Sequence, residues 1–306
     1  MKIFPAPLVI LLTAAPALAI ENSPAPPSLT VAPQAGVIDL AYGAYQRGEY
    51  KTAMAEAQKR VANNPKDATA LTLIGKLYAE GAGVVQDRAK AKDWFRRAAE
   101  AGGTEGAYLY GAALLANSPG PKERESAREY LERAAAQKHA AALNLLGEMS
   151  LHNNGVFSDF EKAADYFRRS ADLGDTDAKY ALGELYKHGK GVAKDDGEAA
   201  TLFKSAADDG HTAAMVELAI LQFNGSGVPR DVAAAVKWLR QAAQAGNPVA
   251  QNRLAYLVAT GQGVDKNLAD ARHWRDESRK AGLQDARLDL LLSEKGDGKV
   301  PTEPKQ

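Results

Sequence analysis

Stepping through the chain 36 residues at a time from Gly75 gives Gly111, Gly147 and Gly183, then Ala219 and Ala255. The same step from Trp94 gives Tyr130, Tyr166, Leu202, Trp238 and Trp274. From Ala91 it gives Ala127, Ala163, Ala199, Ala235 and Ala271 without an exception. Three columns kept in phase over six units constrain the fold more than any local propensity. A unit of this length cannot bury its apolar face alone, so neighbouring units must stack to build a continuous core.

Each unit reads as two helices, most clearly in residues 178–213, AKYALGELYKHGKGVAKDDGEAATLFKSAADDGHTA. Ala178, Ala181, Leu182, Leu185 and Tyr186 recur at helical spacing and form one apolar face. A second helix is expected from about Asp196 to Asp208, with Ala199, Leu202, Phe203 and Ala206 inward. Alanines at facing positions let helices approach closely. Trp94, Trp238 and Trp274 follow the period of the second helices and read as core packing rather than a ligand box.

The loops are punctuated in register. Gly81, Asn117, Asn153, Gly189, Gly225 and Gly261 form a column of residues that tolerate the left-handed region, as a helix C-cap requires. Two residues on stand Gly83, Pro119, Gly155, Gly191, Gly227 and Gly263. Proline cannot adopt a positive φ, so the second loop, NSPGPKERE, must leave its helix by another path. Asp87, Glu123, Asp159, Asp195, Asp231 and Asn267 precede the second helices and are expected to cap them. One carboxylate per repeat, about 10 Å apart, cannot share a cation. The turn to the next unit carries Gly102, Gly174, Gly210, Gly246 and Gly282, with Lys138 the exception. Asn247-Pro248 reads as an N-cap followed by proline at the first helical position.

The ends differ from the array. Lys2, a short apolar run and Ala17-Leu18-Ala19 have the layout of a secretory signal peptide over 1–19, cleaved after Ala19. Pro5, Pro7 and Pro16 interrupt the run and argue against a membrane span, leaving none after cleavage. Residues 20–35 form a Pro-rich linker and 294–306 a polar, disordered tail. The chain contains no cysteine, which excludes a lipid-modified cysteine and any disulfide staple. Formal net charge is zero, so no basic excess points to nucleic acid. A periplasmic or secreted location is expected.

The pattern LGxxYxxGxGVxxDxxxAxxWxxxAAxxGxxxA resembles the Sel-one-like repeat of the tetratricopeptide superfamily. Residues 178–213 carry Leu182-Gly183, Tyr186, Gly189, Gly191-Val192, Asp195, Ala206-Ala207 and Gly210 at its positions. Residues 36–69 resemble a plain tetratricopeptide unit. The array occupies 70–293, with a seventh first helix starting at Ala286 and a polar capping face at Arg287, Asp289 and Glu294. The resemblance implies an all-α, right-handed α-solenoid of helix-turn-helix repeats used for protein–protein contact. It further implies that the first helices line a concave face that binds another protein or a peptide segment. By phase, that face includes Tyr108, Asn144, Glu148, Tyr180, Glu184, Lys187, Asn252 and Tyr256. Val216 and Ile220 share the phase but are expected to pack between neighbouring first helices. The Lys/Asn carboxylate clamp of some relatives is not recognisable.

No catalytic group and no cofactor are expected. A phosphate-binding loop occurs once, after a strand, whereas these Gly-x-Gly-Val loops recur between helices with no Lys-Ser/Thr following. No Gly-x-Ser-x-Gly elbow occurs. Glu148 with His152, and Glu184 with His188, lie at i,i+4 in the same phase of successive units. Their rows are too far apart for one metal, and both histidines suit a helix C-terminus. His139, His211 and His273 show no partner in the sequence and are expected at the surface. The sequence therefore predicts a non-catalytic interaction scaffold or regulator. The alternative is a cell-wall hydrolase or β-lactam-binding enzyme, by analogy with cysteine-rich relatives whose disulfide-stapled repeats this chain lacks.

Overall fold

The computed structural model describes residues 39–116, 119–151 and 158–293. The expected signal peptide, linker and tail, together with Asn117, His152, Asn153 and Gly155, lie outside the described residues. The chain divides into two compact units, one reaching Leu146 and the other starting at Gly147.

The first unit holds α1 (Leu40–Gln46), α2 (Tyr50–Asn63), α3 (Ala68–Glu80), α4 (Arg88–Glu100), α5 (Thr104–Leu115), α6 (Pro121–Ala136) and the start of α7 (Ala140–Leu151). The second holds the end of α7, then α8 (Phe160–Asp172), α9 (Thr176–His188), α10 (Asp196–Asp208), α11 (Thr212–Asn224), α12 (Val232–Gln244), α13 (Pro248–Thr260), α14 (Leu268–Lys280) and α15 (Ala286–Leu292). Among the described residues there is no strand, and no helix is long and apolar enough to cross a membrane. From α1 to α6, and again from α8 to α15, each helix packs on the next in sequence. Each unit is thus a stretch of all-α solenoid, with first helices also touching at α3–α5 and α13–α15.

The glycine of the Leu-Gly pair has a packing cause. A Cβ on Gly75 would lie 2.5 Å from the Phe95 ring, on Gly147 2.6 Å from Phe167, and on Gly183 2.7 Å from Phe203. Where the second helix carries phenylalanine at this position, its ring fills the space that a Cβ on its own first helix would need. The column that fills the core throughout is Phe95, Leu131, Phe167, Phe203 and Leu239, all buried, whereas the adjacent Trp94 column is mixed, with Tyr166 and Trp274 buried. Trp94 and Leu202 are half-buried and pack against the core margin. Sequence period marks both columns as apolar, but only the rotation of the helix decides which one points inward.

The loop glycines divide their work. Gly81, Gly189, Gly225 and Gly261 are left-handed C-caps, with φ between 62° and 72°. Gly191, Gly227 and Gly263 also have positive φ, and each presses on the start of the preceding second helix. A Cβ on Gly191 would sit 2.2 Å from the Phe160 carbonyl carbon. The second glycine is thus where one repeat's loop meets the previous repeat.

Asp87, Asp159, Asp195, Asp231 and Asn267 accept backbone N–H groups as N-caps, as expected. Glu123 does not: α6 begins two residues earlier, with Gly120 as N-cap and Pro121 at the first position, so Glu123 lies in its first turn. At the C-terminal end, the partly exposed Asp289 carboxylate accepts from Arg279 at 2.7 Å and so ties α15 to α14.

Candidate partner-binding face

The residues expected to meet a partner fall into different environments. In the first unit, Tyr108 is half-buried on α5 and stacks on the imidazole of His139, with ring centroids 4.5 Å apart. Asn144 is buried within α7 and presents no open surface. In the second unit, Glu148 is exposed near the end of α7. Tyr180, Glu184 and Lys187 stand at i, i+4 and i+7 on α9, one stripe of one helix. Asn252 and Tyr256 are half-buried one turn apart on α13.

α11 and α13 each add a charged residue outside the expected set, Glu217 and Arg253. Lys187 donates to Glu217 on α11 and lies 3.4 Å from Glu184 on its own helix. Glu217 is only 8% exposed, an unusual position for a carboxylate. Burial pushes the Glu184 carboxyl up, and the neighbouring Glu217 adds to the effect. Burial would lower the Lys187 ammonium, but Glu217 and Glu184 outweigh it and raise it. Burial lowers the Arg253 guanidinium on α13, and the charge of Glu217 opposes that shift. Burial also raises the Tyr180 phenol, reinforced by Glu184 and Glu217. Val216 is buried and Ile220 half-buried in α11, as the packing reading expects.

Glu217 and Arg253 could have been found by the same 36-residue step that revealed the repeat. Their column begins Leu73, Leu109, Leu145 and Ala181, and then turns charged at Glu217 and Arg253. A packing column that switches to ionic residues in consecutive repeats marks a local change of use. It escapes notice because each residue alone looks like an ordinary helical charge.

The histidines correct the sequence reading. His139 and His211 are largely buried, not free at the surface. Each Nδ1 accepts a backbone N–H, from Ala142 at 3.2 Å and from Ala214 at 3.1 Å, and so caps a first helix. Each Nε2 faces an acid of the preceding first helix, Glu105 at 3.0 Å and Asp177 at 3.5 Å. Each ring stacks on a tyrosine, Tyr108 or Tyr180, at 4.5 Å. His273 matches expectation in being exposed, although its ring meets Trp274 edge-on. Histidine is rarely read as an N-cap, yet Asp67, Asp175 and Asn247 hold the same column and signal it.

His188 lies 3.5 Å from Glu184, and burial together with Lys187 and Lys190 lowers its imidazole. Among the described residues no group of three or more His, Cys, Asp or Glu is placed to hold a metal ion. The second-unit face can offer hydrogen bonds, aromatic edges and a balanced set of charges, which is the chemistry of a peptide surface.

Helical hairpins of one length, stacked through glycine-bearing loops, define a solenoid of the tetratricopeptide type. Six consecutive segments, 68–103, 104–139, 140–175, 176–211, 212–247 and 248–274, match the Sel1 repeat, and the chain belongs to that family. Proteins of this family generally mediate protein–protein interaction. Solved structures similar to this chain include two proteins of comparable repeat architecture. A Sel1 repeat protein from Oxalobacter formigenes is 29% identical with a TM-score of 0.69, over 80% of this chain and 97% of that one. A protective antigen with an SLR fold from uropathogenic Escherichia coli strains is 30% identical with a TM-score of 0.70, over 81% of this chain. This chain spans 54% of the length of that E. coli protein. No curated protein matches the chain.

Proposed function

We propose that this is a non-catalytic periplasmic scaffold or regulator that holds a segment of another protein on the first-helix face of its second unit. The observation that carries the proposal is the ionic set in which Glu184 and Lys187 meet Glu217, with Glu217 and Arg253 standing in a column that holds leucine or alanine in the preceding repeats. Burying charge costs free energy unless it is paired, so a scaffold needing only to stack would keep leucine there. Tyr180 on α9, and Asn252 and Tyr256 on α13, add aromatic and amide groups that can fit a peptide backbone. The export reading rests on Lys2, the apolar run and Ala17-Leu18-Ala19.

A photo-reactive phenylalanine analogue replacing Tyr256, with the same analogue replacing the exposed Glu198 on α10 as control, tests this in intact cells. A discrete adduct formed from position 256 and not from 198, on a chain whose mature N-terminus is Ile20, is the expected result. The same smear of bulk envelope protein from both positions would sink the reading.

A further inference from the structure

The N-cap column of the first helices contains two chemistries. Asp67, Asp175 and Asn247 accept the N–H of the residue three positions on, at 2.8–3.0 Å. His139 and His211 do the same with an imidazole Nδ1. A carboxylate or amide oxygen accepts throughout the physiological range, whereas Nδ1 accepts only while it carries no proton. We propose that His211 is an acid-sensitive cap: neutral, it closes the junction between α9 and α11, and protonated, it releases the first turn of α11.

The geometry sets the neutral tautomer. With Nδ1 accepting from Ala214, the proton sits on Nε2, which faces Oδ1 of Asp177 at 3.5 Å. A second proton can enter only at Nδ1, where it would point at the Ala214 N–H, donor against donor. The cap is then lost and a backbone N–H at the helix start loses its acceptor.

Little nearby compensates the imidazolium. Asp177 is the acid on α9 that faces the ring, but its side chain is 75% exposed and screened by water. Asp209, two residues before His211 at the end of α10, is held by Lys179 at 2.6 Å. Asp208 beside it is held by Lys204. Tyr180 covers one face of the ring, and Glu217, further along α11, is paired with Lys187. Towards α13 the neighbour is the amide of Asn247, 3.5 Å from Thr212 and not titratable.

Burial accordingly lowers the His211 imidazole, and Asp177 only partly restores it. A folded pKa below the unfolded value means that the unfolded state binds the extra proton first. Stability from this group is then complete above about 6.5 and is lost as pH falls from there through the folded pKa. His139 is the better compensated copy. Its Nε2 lies 3.0 Å from Glu105, whose carboxyl is held near 2 because His139 and Lys76 outweigh its burial.

The release matters because the first two turns of α11 contain Met215, Val216, Glu217 and Leu218, all buried. Tyr180, which stacks on His211, belongs to α9 and to the candidate face, so one proton reaches both helices. The inference concerns the chain itself and stands whether or not a partner binds there.

Amide hydrogen exchange by NMR on the full chain, expressed as protection factors between pH 7.5 and 5, tests it with no ligand. Protection at Ala214 should fall roughly five- to tenfold, the loss of one N-cap. Ala250, capped by Asn247, should keep its protection. His211→Asn should remove the pH dependence at Ala214 by supplying the amide that already serves as the cap before α13. Constant protection at Ala214, an equal fall at Ala250, or an undiminished fall in His211→Asn would each overturn the proposal. Should that variant not fold, the Ala214 and Ala250 amides of the unaltered chain decide the matter by themselves.

Discussion

The hairpin α9–α10 in the second unit and the hairpin α5–α6 in the first have the same core but differ in almost every loop device. α9 is capped by Asp175 and ends on the left-handed Gly189; Gly191 then packs on Phe160, Asp195 caps α10, and Gly210 turns the chain at φ 93°. α5 has Gly103 as N-cap with no side-chain acceptor and ends at Ala116 in extended backbone. Pro119 replaces the second glycine, Gly120 and Pro121 open α6, and Lys138 turns the chain at φ 60°. Yet Gly106, Gly111, Ala127, Leu131 and Ala134 are buried as their counterparts are. Stacking is carried by the alanine and glycine columns, whereas the loop consensus fixes how firmly each hairpin is closed and joined to the one before.

The largest effect that separates the two layers should come from Gly191→Ala. The substitution places a side chain at φ 68° and a methyl 2.2 Å from the Phe160 backbone carbonyl carbon. The left-handed conformation costs about 1–2 kcal/mol and forced overpacking about 1–3 kcal/mol. Thermal unfolding should therefore show a loss of roughly 3 kcal/mol or more, because backbone cannot step aside as a side chain would. A loss no greater than that of Gly210→Ala, where a Cβ meets nothing, would mean that this loop contact does not join repeats.

Next in size is the contrast between Gly183→Ala and Gly111→Ala. The added Cβ meets the Phe203 ring at 2.7 Å in one case and Leu131 at 2.8 Å in the other. A rigid ring held in a packed core has little room to turn aside, whereas a leucine can shift its branch. Gly183→Ala should lower the urea midpoint by more, towards the upper end of about 1–3 kcal/mol, with Gly111→Ala at the lower end. Equal losses would show that the ring carries no special constraint.

These sites also show where the sequence was transparent. Whatever repeats at 36 residues could be read: the hairpins, the left-handed caps, the aspartate caps and the start of α15 at Ala286. What depends on rotation of a helix about its axis could be read only in part: Phe203 was expected inward together with Leu202, but nothing in the sequence marked it as the ring behind Gly183. What departs from the period was hidden for another reason. Glu217 and Arg253 become meaningful only against the leucines of their column, and the histidine caps only against the aspartates of theirs. Gly106 is a third case. It looks like a weak substitution for the alanine found at Ala70 and Ala142, yet a Cβ there would lie 2.5 Å from Ala98, so the close approach of α4 and α5 requires it. The face proposed to bind a partner was legible as a stripe on α9 and illegible as an ionic set spanning helices, because pairing across repeats leaves no local signature.

The smallest effect tests whether the α5–α6 hairpin is loose because of its turn. Lys138 is the one non-glycine residue with a positive φ among the described residues, in the column where Gly102, Gly174 and Gly210 stand. Its neighbours still form the turn: the Lys138 N–H donates to Ala135 at 3.0 Å and the His139 N–H to Ala134 at 3.2 Å. Nothing is gained there from a side chain that is exposed, so relief of the left-handed strain should dominate over the added entropy of glycine in the unfolded chain. Lys138→Gly should stabilise the protein by about 0.5–1 kcal/mol. In a nearest-neighbour array the gain should appear locally. Hydrogen exchange should be faster over 106–140 than over 178–213 in the unaltered chain, and the substitution should narrow that gap from the 138 end. If the two segments exchange equally from the start, the missing caps are absorbed by packing. If the gap exists but Lys138→Gly leaves it unchanged, the looseness originates at the other end of the hairpin, where Gly103 gives α5 no side-chain acceptor and Pro119 replaces the glycine that joins the repeats elsewhere.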